Sequence, residues 1–127
     1  MLDTQAACQE RHNRFVRRVI AAGEVWGLKG PSGFCYAPSN HTEDRRDVIP
    51  FWSDRAYAKQ CAKDAWASFE PTSIPLDTFL ARWLPGMHAD RVLAGTNWSV
   101  HLIGSEIEPL KHIKEEIECL RTATSTV

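Results

Sequence analysis

Apolar residues recur at intervals of three and four positions in the first part of the chain, which is the spacing of an amphipathic helix. The positions that carry this pattern are Cys8, Phe15, Val16, Val19 and Ile20. Thr4 precedes them as a favourable N-cap residue, and Gly23 follows them as a residue that commonly ends helices. The sequence therefore predicts a helix over residues 4–22.

Three later segments also have helical spacing. Ser53 is a favourable N-cap for a helix that runs from about residue 54 to 66. A second short helix is predicted over residues 76–84, and Pro85-Gly86 is expected to stop it. A closing helix is predicted over residues 107–120. The inward stripe of the first of these helices consists of Tyr57, Cys61 and Ala65.

Short runs of aromatic and β-branched residues lie between the helices and predict strands. Residues 24–28 and 34–37 flank a turn rich in Gly and Pro, which is typical of a hairpin. The polar residues 39–47 are predicted to form a loop. Asn97 is suited to a turn, because its side chain can bond to its own backbone. Further strands are predicted at residues 48–51, 69–74 and 91–95, with 98–103 as another candidate.

The order of these elements predicts an α+β fold, in which a small antiparallel or mixed sheet packs against about four helices. A chain of 127 residues has the length of one domain, so residues 1–127 are expected to form a single unit. Its core is expected to span about residues 4–121. The Thr- and Ser-rich residues 122–127 are expected to be a frayed tail.

The composition excludes several classes of function. The formal net charge of -1 argues against a nucleic-acid partner, because neutralising phosphates requires an excess of basic residues. No stretch of the sequence approaches the roughly 20 apolar residues that span a bilayer, so no membrane partner is expected. The first five residues lack the basic start and apolar run of a signal peptide, and we therefore expect a cytoplasmic protein.

The sequence contains none of the common catalytic or cofactor signatures. The five histidines form no pair at positions i and i+4, and no HExxH, GxSxG, GxGxxG or P-loop pattern is present. The four cysteines are widely spaced and are expected to be reduced and buried. We therefore predict no catalytic residue, no metal site and no cofactor.

Tryptophan occurs in short phrases with Gly and Pro, which fix the direction of the backbone. These phrases are Gly23-Glu24-Val25-Trp26-Gly27-Leu28, Ile49-Pro50-Phe51-Trp52-Ser53, Trp83-Leu84-Pro85-Gly86 and Gly95-Thr96-Asn97-Trp98. With them, roughly residues 8–121 resemble a bacterial family of small proteins known as domain of unknown function 2750. The resemblance implies bacterial origin and an intracellular α+β domain. It implies no activity, because none is assigned to the family.

The strongest candidate site is the segment Trp52-Ser53-Asp54-Arg55, where a predicted strand meets the start of a predicted helix. The free N–H groups of a helix start, the Ser53 hydroxyl and Arg55 would together bind an anion, with Trp52 as an apolar wall. The structural alternative is that Ser53 only caps the helix, Arg55 pairs with a surface acid and Trp52 lies in the core.

A second candidate is Glu24, which lies between Gly23 and the Val25-Trp26 pair. A carboxylate buried beside an indole would have a raised pKa, as a general base requires. The alternative is structural, because the neighbouring glycines are also explained by the end of the helix and by close packing of the hairpin.

Charge is unevenly distributed between the first and the last helix. Arginines make the first helix basic, and glutamates make the last helix acidic. A solvated surface is the ordinary meaning of such faces, and docking between the two helices or between two protomers is the alternative. The residues concerned are Arg11, Arg14, Arg17 and Arg18 in the first helix, and Glu115, Glu116 and Glu118 in the last.

These observations favour a non-enzymatic module that binds a protein partner or an acidic ligand, as a monomer or a homodimer. We expect the contact surface to include Trp26, Trp52 and Arg55, because Trp and Arg are enriched at binding hot spots. One alternative is a small hydrolase or transferase in which Glu24, Asp54 and Arg55 converge in a cleft. The other is a structural or self-associating protein.

Overall fold

The computed structural model describes residues 4–39 and 46–125. The first helix, α1, spans Gln5–Ala22. The side-chain oxygen of Thr4 accepts a hydrogen bond from the Ala7 N–H at 3.0 Å and so caps its start. Gly23 ends it with a φ of 73°, and its N–H bonds to the Val19 carbonyl at 2.8 Å. The prediction for this helix is confirmed.

The strands form two small sheets. In chain order they are β1 (Glu24–Gly30), β2 (Gly33–Phe34), β3 (Ala37–Pro38), β4 (Asp47–Phe51), β5 (Glu70–Pro75), β6 (Leu93–Thr96) and β7 (Ser105–Ile107). One sheet has the order β2-β1-β5 and is antiparallel throughout. The other has the order β3-β4-β6-β7, with β4 and β6 parallel. The single sheet that we predicted is therefore divided in two.

One backbone bridge links the sheets. The N–H of Trp26 in β1 donates to the carbonyl of Trp52 at 2.8 Å, and the N–H of Trp52 donates back to the carbonyl of Trp26 at 2.7 Å. Trp52 directly follows β4, so this antiparallel pair joins the centre of one sheet to the end of a strand in the other.

The helical segments after α1 are α2 (Arg55–Gln60), α3 (Leu76–Thr78), α4 (Leu84–Ala89) and α5 (Glu115–Ser125). A π-helical segment, Phe79–Trp83, joins α3 to α4, and another, Leu110–Lys114, leads into α5. The residues that the structure describes thus form four helical stretches, besides one 3-10 turn at Asp64–Trp66. The predicted α+β class with about four helices is confirmed.

The helix predicted over residues 54–66 is much shorter in the structure. This helix is α2, and it ends at Gln60. The thiol of the next residue, Cys61, donates to the carbonyls of Trp98 at 3.7 Å and Ser99 at 3.4 Å. Asp64 then has a positive φ of 53° and starts the 3-10 turn. The apolar spacing continues past Cys61, but contacts with a distant loop end the helix.

Pro85-Gly86 does not stop a helix, contrary to our prediction. Pro85 occupies the first turn of α4, where the backbone nitrogen needs no helical partner. The preceding π-helical segment absorbs the change in hydrogen bonding, since the Leu84 N–H bonds to the Phe79 carbonyl. The helical stretch therefore continues to Ala89.

Other differences lie at the edges of elements. Residues 98–103 form turns and not a strand, and Ile107 belongs to β7 and not to the last helix. Most of the predicted loop at residues 39–47 lies outside the described residues. The predicted frayed tail at 122–127 is helical as far as Ser125, and residues 126 and 127 also lie outside the described residues.

The core consists of two packed clusters. In the larger one, Phe51 meets Phe79 and Trp83 edge to face, with ring centroids 4.9 and 5.8 Å apart. The smaller one contains Trp52, Trp98 and the buried thiols of Cys35 and Cys61. Burial raises the pKa of Cys35 to about 12 and that of Cys61 to about 11, so both thiols are protonated at neutral pH. Cys119, in contrast, is exposed.

None of the helices in the described part of the chain is both long and apolar enough to cross a lipid bilayer.

Candidate functional site

One buried side chain, that of Asn97, holds three segments of the chain together just beyond the end of β6. Its Oδ1 accepts from the Ser53 N–H at 2.8 Å, and its Nδ2 donates to the Ser53 hydroxyl at 3.1 Å and to the Arg11 carbonyl at 3.3 Å. Its φ of 47° lies in the left-handed region, which asparagine tolerates better than most residues. The amide therefore fixes α1, the junction between β4 and α2, and the loop after β6.

A second contact sets α1 against β6. The imidazole of His12 is almost fully buried, with its Nδ1 3.0 Å from the Thr96 hydroxyl and its Nε2 3.3 Å from a carboxylate oxygen of Glu116 in α5. Arg11 immediately precedes His12, and Asn97 immediately follows Thr96. The His12 contacts therefore hold the helix and the strand in the arrangement that the Asn97 bonds require.

Trp98 follows Asn97, and its ring is tightly enclosed. Its indole N–H donates to the Ser105 carbonyl at 3.0 Å, and its own carbonyl accepts from the Trp52 indole N–H at 3.1 Å. A Cβ atom on either Gly95 or Gly104 would clash with the Trp98 ring. Only glycine at these two positions leaves the ring enough room.

A cavity of about 240 Å³ opens beside this loop, between α1 and α2. We call it the arginine cavity. Its described lining contains two arginines, one histidine and no carboxylate, so its charge is positive. The lining residues are Arg11, Arg14, Tyr57, Gln60, Asn97, Trp98, Ser99, Val100 and His101.

The two arginines lie three positions apart on α1 and therefore share a face of the helix. Nη2 of Arg11 lies 3.4 Å from both the Ile103 carbonyl and the Cys8 sulfur, which orients its guanidinium. Arg14 is half-buried, and its guanidinium makes no hydrogen bond or ion pair with the residues that the structure describes. Arg14 is thus the cavity cation whose hydrogen-bonding groups are available to a ligand.

The remaining polar groups of the cavity differ in availability. The Asn97 amide and the Trp98 indole N–H are used within the protein. Tyr57 is half-buried, and within the described chain its hydroxyl makes no hydrogen bond. A ligand in this cavity can therefore bond to Arg14 and Tyr57 without displacing an existing contact.

The carboxylate closest in sequence to this junction, Asp54, is held by another arginine. Arg18 binds it with both Nε and Nη2, at 2.8 and 2.5 Å, and the Ser53 hydroxyl donates to it at 2.6 Å. Burial alone would raise the pKa of Asp54, but these hydrogen bonds and the charges of Arg18 and Arg14 together lower it. Asp54 is therefore ionised at neutral pH, and its direct ion-pair partner is Arg18 and not Arg14.

Trp52, Ser53 and Asp54, three of the predicted site residues, lie at the junction between β4 and α2. Their side chains do not form the anion site that we expected there. Trp52 is completely buried, so its ring belongs to the core and offers no surface to a partner. Ser53 bonds to Asn97 and Asp54 instead of capping α2, whose N-cap position is occupied by Asp54. Because α2 has only six residues, the anion site predicted at its start has little support. Arg55 is exposed.

The other predicted site residues lie in the three-stranded sheet. Trp26 is partly buried and packs against the smaller core cluster. Glu24 is half-buried and accepts a hydrogen bond from the Ser73 hydroxyl at 2.5 Å. Glu24 and Asp54 therefore each have a partner of their own, on different elements.

Within the described residues, no group of three or more His, Cys, Asp or Glu side chains is arranged to hold a metal ion.

Sequence reasoning did not identify the arginine cavity, although most of its parts were noted. Arg11 and Arg14 belong to the basic face of the first helix, and Tyr57 was placed on an inward stripe. Asn97 was predicted to form a turn. Arg14 has Glu10 one helical turn before it, so the sequence does not distinguish it from the other arginines of this face, and only the structure shows that Glu10 pairs with Arg17 instead.

The comparisons with known proteins give a family but no activity. A family model described as "Protein of unknown function (DUF2750)" matches residues 12–116. The match includes Arg14, Tyr57, Asn97 and Trp98 of the cavity, whereas Arg11 precedes it. No curated protein and no solved structure shows significant similarity to the chain.

Proposed function

We propose that this protein, which belongs to the family described as "Protein of unknown function (DUF2750)", is a non-enzymatic module that binds a small acidic ligand in the arginine cavity. The proposal keeps the acidic-ligand form of the function expected from the sequence and moves the site. Trp52 and Ser53 do not line the cavity but hydrogen-bond to Trp98 and Asn97, which do, and the lining residues lie on α1, α2 and the loop after β6.

The observation that carries this proposal is Arg14. The half-buried guanidinium of Arg14 loses part of its hydration and makes no hydrogen bond with the described residues, although the charge of Asp54, which Arg18 binds directly, attracts it. An anionic group in the cavity would supply the missing acceptor, and hydrogen bonds between charged groups are among the strongest in proteins. Arg11 adds a second positive charge to the same wall.

Two features favour a small molecule over a macromolecule. The cavity volume of about 240 Å³ suits a single compact ligand. The net charge of -1 gives no general attraction for a nucleic acid or for an anionic membrane surface. The expectation of a protein partner relied on an accessible Trp52, and the ring of Trp52 is buried.

Binding without catalysis is favoured because the carboxylates that we considered for catalysis are engaged elsewhere. Glu24 accepts from Ser73, and Asp54 is held by Arg18 and Ser53. Neither lines the arginine cavity. We also propose a cytoplasmic location in a bacterium, as the family resemblance implies, and fractionation of cells that express the tagged protein tests it.

A calorimetric titration tests the function itself. The wild-type protein is titrated with acetate, benzoate and phenyl phosphate, and with the neutral benzyl alcohol and the cationic benzylamine. We expect at least one of the anions to bind, and the neutral and cationic compounds to bind more weakly or not at all. Binding of benzylamine that equals or exceeds that of every anion would contradict the proposal, as would the absence of any binding.

The variant Arg14→Gln shows whether the cavity is the site. Loss of a charged hydrogen bond costs about 1.5–3 kcal/mol, which corresponds to a roughly tenfold to hundredfold loss of affinity. Arg17→Gln is the matched control, because Arg17 lies on the same helix but is exposed. Its Nη2 lies 3.7 Å from Oε1 of Glu10, with which it forms an ion pair. If both variants bind as the wild type does, the site lies elsewhere.

A further inference from the structure

We infer that the ligand of the arginine cavity is an aromatic monocarboxylate, that is, a planar ring with one carboxylate group. This inference rests on the proposed function and adds the chemical class of the ligand. It is argued from the volume of the cavity, from the hydrogen-bonding groups that are available in it, and from the side chain that forms its open wall.

The volume of the cavity limits the size of the ligand. A cavity of roughly 150 Å³ engineered in another protein binds benzene. The arginine cavity, at about 240 Å³, therefore has room for one six-membered ring and a small charged group. Fused ring systems that carry a sugar or a chain of phosphates would extend out of it into solvent.

The hydrogen-bond donors that are available in the cavity indicate the charged group of the ligand. The Asn97 amide and the Trp98 indole N–H are committed to protein acceptors, and Arg11 is oriented by the Ile103 carbonyl. The lining side chains that make no hydrogen bond to the described residues are those of Arg14, Tyr57, Gln60 and His101, and among them Arg14 carries a permanent positive charge. A guanidinium matches the two oxygens of a carboxylate, and a carboxylate is smaller than a phosphate, so it leaves more of the cavity volume for the ring.

The aromatic side chain in the lining indicates the apolar part of the ligand. Trp98 is only 6% exposed, and its ring is enclosed by Gly95 and Gly104, so it contributes little open surface. Tyr57 is half-buried on the helix that faces α1 across the cavity, and its ring is the aromatic surface that a ligand would contact. Aromatic pairs are favoured beyond the area that they bury. A flat ring therefore fits this wall better than a saturated ring does.

The test compares three ligands of similar size by NMR titration of the ¹⁵N-labelled protein. The ligands are benzoate, cyclohexanecarboxylate and phenyl phosphate, which separate the ring from the charged group. We expect benzoate to bind about twofold to tenfold more tightly than cyclohexanecarboxylate, and more tightly than phenyl phosphate. The largest shifts are expected at the amides of residues 97–101 and at the Trp98 indole N–H, which adjoin the cavity.

A second variant, Tyr57→Leu, tests the wall and retains an apolar side chain there. With the Tyr57 ring absent, the preference for benzoate over cyclohexanecarboxylate should fall, and both compounds should still bind. A urea-unfolding curve establishes that the variant is folded. A substitution that only destabilised the fold would weaken the binding of both ligands by the same factor and leave the ratio of their affinities unchanged.

The outcomes separate this inference from the proposed function. Equal or tighter binding of cyclohexanecarboxylate or of phenyl phosphate by the wild type would overturn the inference and leave an anion-binding module. An unchanged preference in folded Tyr57→Leu would also overturn it. If no anion binds, both the inference and the proposed function are wrong.

Discussion

Replacing Asn97 with alanine should destabilise the protein more than the same change at Asn13. The side chain makes three hydrogen bonds, at 2.8, 3.1 and 3.3 Å, to two different segments of the chain. The substitution leaves the N–H of Ser53 buried without its acceptor. It also places an alanine at a φ of 47°, a conformation that is unfavourable for residues with a Cβ atom.

These two effects give the expected magnitude. A buried donor that loses its partner costs about 1–3 kcal/mol, and a left-handed conformation costs roughly 1–2 kcal/mol. The free energy of unfolding should therefore fall by about 2–5 kcal/mol. Domains of this size are stable by only about 5–15 kcal/mol, so the loss is a large share of the total.

The assay is equilibrium unfolding in urea, followed by tryptophan fluorescence, with Asn97→Gly and Asn13→Ala as companions. Glycine accepts a φ of 47° without strain, so Asn97→Gly isolates the lost hydrogen bonds. The Asn13 side chain lies on α1, and among the described residues it accepts only from the exposed Gln9 amide, at 3.0 Å. Asn13→Ala should therefore change stability by no more than about 0.5 kcal/mol.

Two results would refute this reasoning. If Asn97→Ala lost no more stability than Asn13→Ala, the amide would not hold the three segments together. If the glycine and alanine variants at position 97 were equally unstable, the strain attributed to the left-handed backbone would be absent. An unchanged dependence of unfolding on urea concentration is needed for either comparison to be valid.

Two further predictions concern packing and pH. Gly95→Ala should lower stability by about 1–3 kcal/mol, because its Cβ would meet the Trp98 ring. Gly86→Ala, with no atom near the added Cβ, should raise it by about 0.5–1 kcal/mol, and thermal unfolding measures both. The stability lost in Arg18→Gln should be greatest above the ordinary pKa of Asp54, 3.8, and disappear as the pH falls through the lowered folded value. Urea unfolding from pH 6 to pH 2 measures this loss, and a constant difference would contradict the ion pair.

Local signals predicted those elements whose ends are defined by their own residues. Helix α1 is the best example, because Thr4 and Gly23 bond to it directly. The ends of α2 and α4 depend on residues far away in the sequence or on a change in helix type. The thiol of Cys61 bonds to a loop 37 and 38 positions later, and Pro85 is accommodated by a π-helical segment. Periodicity contains no information about either event.

The candidate site likewise combines features that are local in the sequence with contacts between distant residues. The sequence indicated a basic face that includes Arg14, an inward-facing Tyr57 and a turn at Asn97, each as a local feature. Their convergence depends on the parallel pairing of β4 with β6, which brings Ser53 beside Asn97. The tryptophans drew attention to Trp52, but a large apolar residue is equally suited to a core and to a binding surface. Only the three-dimensional contacts separate the two roles.

Because of the backbone bridge between Trp26 and Trp52, we expect the two sheets to unfold as one cooperative unit. Separating the sheets at this point breaks both hydrogen bonds of the bridge and exposes Trp52, whose indole also holds the Trp98 carbonyl. Such an opening would be nearly as costly as complete unfolding, so the two bridging amide protons should be among the slowest to exchange with solvent. Trp98, which lines the arginine cavity and is bonded to Trp52, should therefore keep its position as long as the domain stays folded.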